Sequence, residues 1–171
     1  EEQAEWNRII ARFDLVCNEA HKKNIALLID AEESWMQDAA DGLVTQMMQK
    51  YNRETAIVYT TIQMYRTDRL KYLQEAHERA EKGGWFFGVK IVRGAYHEKE
   101  RERARKMSYP SPVFETKEET DRDFNESLKY CVRHIDKIYI CAGTHNEVSS
   151  LLLIDLMKDR NIAKNDPRIY F

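Results

Sequence analysis

A lysine and an arginine stand three residues apart in Gly88-Val89-Lys90-Ile91-Val92-Arg93-Gly94-Ala95-Tyr96. Apolar residues at 86, 87, 89, 91 and 92 make this stretch a short buried strand. A lysine inside such a strand is costly unless it meets an anion or an acidic partner. Gly94 and Ala95 are small enough for a ligand to approach the backbone closely. Two cations, a close-approach turn and the Tyr96 ring at one strand end suit something flat and anionic. The same residues also fit a plain strand with a snorkelling lysine and a loop arginine, so other strand ends must decide.

Those ends carry further polar groups. Asp30, Glu32 and Glu33 follow the apolar run Ile25–Ile29; Gln63 ends the run 56–62; Thr144, His145 and Asn146 follow Ile138–Ala142. Taken singly, Asp30 caps the next helix, Gln63 satisfies a loop and His145 is a hydrogen-bonded histidine. Four strands in a row delivering polar groups to one rim are harder to set aside.

The elements behind them alternate. Trp6, Ile9, Ile10, Phe13, Val16, Cys17 and Ala20 step along one helix face that ends near 22–24. Ile25–Ile29 reads as a strand buried on both faces. Trp35, Ala39, Leu43 and Met47 mark a second helix, and Leu70, Leu73, Ala76 and Ala80 a third that Gly83-Gly84 closes. The stretch from about 97 to 119 is the longest irregular one, its first part a solvated, charge-alternating helix. Phe124, Leu128, Cys131, Val132 and Ile135 define the next helix, capped by Thr120 or Asp121. Val148, Leu151, Leu152 and Leu156 define the last, and Asp166-Pro167 precedes a final strand. Helix and strand alternate without hairpin signals, which argues a parallel sheet with right-handed crossovers. An open flavodoxin-like sheet and a cut eight-stranded barrel fit this pattern equally, and both bind ligands at the carboxyl ends of their strands.

Composition bounds the function. With 171 residues, 43% hydrophobic, 33% charged and a net charge of −2, the chain is globular and offers no electrostatic case for nucleic acid. No apolar run reaches the roughly 20 residues of a membrane-spanning helix. No strand is followed by the glycine pattern of a dinucleotide fold. The three cysteines, Cys17, Cys131 and Cys141, lack metal spacing and read as reduced thiols of an intracellular protein. No metal is called for. Both chain ends look cut, so residues 1–171 are expected to be one domain, a piece of a larger one.

At this point the chain resembles the proline dehydrogenase family, flavin enzymes of proline catabolism that also form a catalytic domain of proline utilization A proteins. The resemblance rests on Ile29-Asp30-Ala31-Glu32-Glu33, Tyr59-Thr60-Thr61-Ile62-Gln63-Met64-Tyr65, Val89–Tyr96 with Glu100-Arg101, and Thr144-His145-Asn146. It implies a distorted (β/α)8 TIM-type barrel, present here in part, that binds FAD at its rim and oxidises L-proline to 1-pyrroline-5-carboxylate by hydride transfer from C5 to flavin N5. It implies Lys90 beside N5, Gln63 at the pyrimidine edge, Val92, Arg93, Gly94 and Ala95 along the ribityl and phosphates, and Thr144, His145 and Asn146 at the cofactor-binding strand end. Lys117 and Thr120 match residues of the adenosine half. Asp30, Ile91 and Tyr96 match the substrate pocket, and Lys90, Asp30 and Tyr96 are the expected catalytic set. His97 departs from the tryptophan that stacks on adenine in some members. The family's arginine pair for the substrate carboxylate lies on a late helix beyond this chain, so the isolated piece is expected to be inactive. A quinone as electron acceptor, peripheral membrane contact, and a bacterial cytoplasmic or mitochondrial matrix-side location follow from the same resemblance. The alternatives are a hydroxyproline dehydrogenase, a Schiff-base aldolase using Lys90, and a non-catalytic fragment that assembles with a partner.

Overall fold

The computed structural model describes residues 2–171; Glu1, the first residue of the expected domain, lies outside them. The order is α1 (Glu2–Lys23), β1 (Leu27–Ile29), α2 (Ser34–Tyr51), β2 (Val58–Gln63), α3 (Arg69–Gly83), β3 (Phe87–Val92), α4 (His97–Met107), α5 (Lys117–Arg133), β4 (Ile138–Ala142), α6 (Glu147–Asp159) and β5 (Ile169–Tyr170). The five strands form one parallel sheet in the order β1-β2-β3-β4-β5. Each strand pairs only with its neighbours in sequence. A flavodoxin-like sheet places its first strand inside the order, so strict succession is the winding of a βα barrel.

The pleat sorts the strand residues into two faces. Val58, Ile62, Phe87, Val89, Ile91, Ile138, Ile140, Ala142 and Ile169 point outward into a single apolar core shared with the helices. Cys17, Leu43, Met47, Leu73, Phe124, Leu128, Cys131 and Leu153 fill the helix side of that core. Register aligns the other face in rows: Leu28, Tyr59, Gly88 and Tyr139 in one, Thr61, Lys90, Cys141 and Tyr170 in the next. Tyr59 and Tyr170 belong to strands three places apart, yet their rings meet at 6.3 Å. Strands spaced about 4.8 Å apart bring such rings together when the sheet curls toward this face, and Gly88, with no side chain between them, leaves the room.

Fully buried Asn52, the C-cap of α2, ties the lower end of the sheet together. Its amide nitrogen donates to the carbonyls of Val58 and Phe86, and its oxygen accepts from the N–H groups of Ile57 and Val58. Gly84 takes the left-handed conformation (φ 72°) that ends α3, as the glycine pair predicts.

Several expectations are corrected. The strand β1 is three residues long and half-buried, not buried on both faces, because it has a strand partner on one side only. In α2, Trp35 is exposed; the buried positions of its first half are Gln37 and Asp41, a polar face that an apolar count misses. In α6 the buried residues are Ser149, Leu153 and Met157, while Val148 and Leu151 face outward. Helix α4 is the solvated, charge-alternating helix expected for the first part of the stretch from about 97 to 119. Helix α5 begins earlier than Thr120: Thr116 caps it in a reciprocal box with Glu119, and Thr120 lies buried inside the helix.

Candidate active site

The carboxyl ends of β1 to β4 surround a cavity of about 580 Å³. It is lined by Asp30 and Glu32 after β1, Thr61 and Gln63 on β2, and Lys90 and Val92 on β3. Arg93, Gly94, Ala95 and Tyr96 line it from the turn after β3, Lys117 from α5, and Gly143 to Asn146 from the turn after β4. Every residue expected at the site lies here except Ile91 and Thr120. Ile91 is fully buried on the opposite face of β3. Side chains alternate along a strand, so Lys90 facing the cavity puts Val92 on the wall and Ile91 in the core. Thr120 lines an adjoining cavity of about 270 Å³ with Tyr65, Arg93, Gly94, His97, Glu115 and Lys117.

Lys90 is one-fifth exposed and pairs with the more open Asp30 carboxylate, which also accepts from the Thr61 hydroxyl at 3.4 Å. A cation in a strand interior thus has its counter-ion at the cavity edge. Gln63 bridges two turns. Its amide nitrogen donates to the Glu32 carbonyl at 2.8 Å and its oxygen accepts from the Ala95 N–H at 3.2 Å. One amide N–H remains free of those bonds for a ligand.

Arg93 is the most heavily committed group at the rim. Its guanidinium donates to Asp121 (2.6 Å), to the Thr144 hydroxyl (2.7 Å) and to the Ser149 hydroxyl (2.9 Å), and lies 4.2 Å from the centre of the Phe124 ring. The rigid fork of arginine suits this use. Arg93 joins β3 to α5, to the turn after β4 and to α6, and its charge is answered by Asp121. Burial raises the Asp121 pKa, but hydrogen bonds from Lys117 and Arg93 outweigh it and hold the carboxyl below its usual range. Gly94 has φ 127°, and a Cβ there would strike the Tyr65 ring at 2.4 Å. The glycine is demanded by Tyr65 beneath it.

The acidic turn after β1 is stitched to the start of α4. The Tyr96 hydroxyl donates to Glu32 at 2.6 Å, Lys99 pairs with Glu33, and the buried Glu100 carboxylate accepts from both the N–H and the hydroxyl of Ser34 at 2.6 Å. Lys99 holds Glu33 below, and Glu32 pushes the Tyr96 phenol above, their ordinary ranges. Arg101 grips the carbonyls of Phe114 and Glu115. The Glu100-Arg101 pair therefore pins two loops to α4. His97 sits 5.8 Å from the Tyr65 ring, and burial lowers its pKa, leaving a neutral imidazole beside the smaller cavity. Thr61 was not singled out by sequence, whereas Glu32 was named only together with Glu33 among the polar groups of the rim. Strand alternation back from Gln63 would have found Thr61, but nothing in the local pattern distinguishes Glu32 from Glu33.

A family model described as proline dehydrogenase matches residues 3–171. The chain is 38% identical over 149 residues to the carbapenem antibiotics biosynthesis protein CarD of Pectobacterium carotovorum subsp. carotovorum, covering 87% of this chain and 39% of that one. It is 32% identical over 180 residues to mitochondrial proline dehydrogenase 1 of Drosophila melanogaster (99% of this chain, 26% of the relative). It is 31% identical over 174 residues to the Homo sapiens counterpart (100% and 29%). The chain spans between about a quarter and two-fifths of these relatives. Among solved structures, proline utilization A from Bdellovibrio bacteriovorus inactivated by N-propargylglycine matches with TM-score 0.88 at 22% identity, covering 98% of this chain and 17% of that one. A bifunctional proline utilization A protein matches with TM-score 0.77 at 16% identity, covering 96% and 19%. These structural likenesses carry the fold.

Proposed function

The chain belongs to the proline dehydrogenase family, and from that premise we propose that it forms the cofactor-binding side of an FAD-dependent enzyme that oxidises L-proline to 1-pyrroline-5-carboxylate. The observation that carries this reading is the convergence of four strand ends on one cavity with Lys90 on its wall. Its volume lies within the roughly 300–1,000 Å³ of small-molecule sites. Small residues, amide donors and cations around it fit a flat, anionic cofactor. Bound FAD would supply the hydride acceptor.

The chain's own residues prepare for that chemistry. Lys90 keeps a positive charge where negative charge develops on reduction. The free amide N–H of Gln63 is available to a ring carbonyl. Gly94 and Ala95 present backbone, and Lys117, Thr144, His145 and Asn146 line the far side of the cavity. The N-terminus of α6 lies next to that turn, where a helix favours anions. Thr120 and His97 flank the smaller cavity, the place for the adenosine half. Asp30 and Tyr96 form the polar wall for the substrate amine, and Val92 offers an apolar surface for its ring.

A Schiff-base role for Lys90 is disfavoured by its pairing with Asp30, since an ammonium neutralised by a carboxylate is no nucleophile. Electrons would pass to a quinone through peripheral membrane contact; no helix among the described residues is long and apolar enough to cross a membrane. Relatives named as mitochondrial support a mitochondrial location, with a bacterial cytoplasm as the other setting. The second reading is a hydroxyproline dehydrogenase, in which the same hydride step acts on a proline ring that carries a hydroxyl.

The test is anaerobic titration of the full-length protein. A bound flavin spectrum that bleaches with L-proline is the expected result. A flavin that bleaches only with 4-hydroxyproline selects the second reading. Absence of flavin after reconstitution overturns both.

A further inference from the structure

Behind the acidic turn runs a chain of polar groups that the proposed chemistry does not use. Arg69 donates to Asp41 at 2.8 Å, the Gln37 amide donates to the other Asp41 oxygen at 2.8 Å, and the Gln37 oxygen accepts from the Glu32 N–H at 3.1 Å. Arg69, Asp41 and Gln37 are all buried. Buried polar chains are costly unless every member is satisfied, and when satisfied they fix geometry. This one ends on the backbone of Glu32, whose carbonyl is held from the other side by Gln63. The Glu32 backbone is thus clamped at both its N–H and its C=O, while its carboxylate reaches the cavity and takes one hydrogen bond, from the Tyr96 hydroxyl. That bond spans from the turn after β1 to the turn after β3, across the end of β2.

We propose that Glu32 is a positioning residue: clamped by the Gln37–Asp41–Arg69 chain and by Gln63, it fixes the Tyr96 hydroxyl on the cavity wall and thereby sets how tightly the imino-acid substrate is held. The proposal rests on the reading of the cavity as a proline-oxidising site. Tyr96 otherwise hangs from a turn of small residues, with the Lys99 amine 5.7 Å from its ring centre. With its proton given to Glu32, the phenol oxygen keeps lone pairs for a substrate N–H. A contact made alike in ground and transition states appears in KM rather than kcat.

The experiment uses the full-length protein with Glu32→Ala, Glu32→Gln, Tyr96→Phe and the Glu32→Ala/Tyr96→Phe double variant. Glu32→Ala and Tyr96→Phe should each raise KM for L-proline on the order of 10-fold, the size of one charge-assisted hydrogen bond. Their kcat values should change much less. The double variant should be no worse than either single one, because both break the same bond. Glu32→Gln should recover most of the loss, since its amide oxygen still accepts. Ultraviolet titration of the tyrosines supplies a readout that needs neither flavin nor substrate. Glu32 holds the Tyr96 phenol up, so Glu32→Gln should bring one tyrosine to ionise at lower pH, a change absent when Tyr96→Phe is added. Additive KM effects, or an unmoved phenol titration, would overturn the proposal. A wild-type protein that never oxidises an imino acid would remove the function but leave the phenol titration to stand or fall by itself.

Discussion

The two ends of α5 hold polar clusters of opposite character. At its start, Lys117 and Asp121 meet Arg93, Thr144 and Ser149 around an open cavity. At its finish, Tyr130 and His134 close over His77 of α3, with the Tyr130 oxygen 2.9 Å from the His77 Nδ1 and the His77 and His134 rings 4.8 Å apart. His77 is buried, and its Nε2 has no hydrogen-bond partner among the described residues, the nearest carboxylate being that of Glu81 at 3.9 Å. The first cluster keeps donors and charge beside the open cavity. The second is sealed, and burial lowers the His77 pKa. One helix thus borders the cavity at its amino end and is packed at its carboxyl end, in keeping with the division between the two faces of a βα barrel.

The strongest way to break this division is through the layer between. Leu128→Ala empties a fully buried site in the middle of α5 and should cost about 2–5 kcal/mol of stability by urea unfolding. At the cavity, Lys90→Met should lower the rate of flavin reduction roughly 100-fold in stopped-flow mixing with proline. Its unfolding midpoint should hardly move, since a half-open ion pair contributes about 0–1 kcal/mol. Equal losses of stability and rate in both variants would erase the distinction. For the sealed end the lever is pH. A histidine whose folded pKa lies below its usual 6.5 binds more protons when unfolded, so stability is present above that value and is lost as pH falls through and below it. The wild type should lose stability between neutral pH and pH ~5 at up to about 1.4 kcal/mol per pH unit more than His77→Gln. The smallest effect is at the start of α5. Thr116→Ala removes the capping box and should cost about 1 kcal/mol, with looser cofactor binding through the displaced Lys117.

Much of this arrangement is legible in sequence. Apolar runs separated by helical periods gave the alternation, and the polar residues just past each run are those that meet in the cavity. What escaped follows a physical pattern. Ile91 fell on the wrong side although Lys90, the residue before it, already set the phase of the strand. The first half of the buried face of α2 was misplaced because Gln37 is held by Asp41, and Asp41 by Arg69, a partner on another helix. Thr116 was passed over for Thr120 although Glu119 stands at the capping-box spacing. The commitment of Arg93 to three protein acceptors was invisible, since those partners come from distant positions in the chain.

The strict succession of strands also bears on how the chain acquires its shape. Leu27 meets Val58, Tyr59 meets Gly88 and Ile140 meets Ile169, each pairing closing a loop of one strand–helix unit. Only the pairing of Phe87 with Ile138 must wait for two helices and the segment between them. Loop closure grows costlier with length and slows non-local pairing. The first three strands can therefore assemble as they leave the ribosome, with Asn52 fastening the entry of β2 to the residue before β3. The docking of β4 is the late step, and Arg93, whose partners lie on α5, α6 and the turn after β4, finds them only when that step is complete.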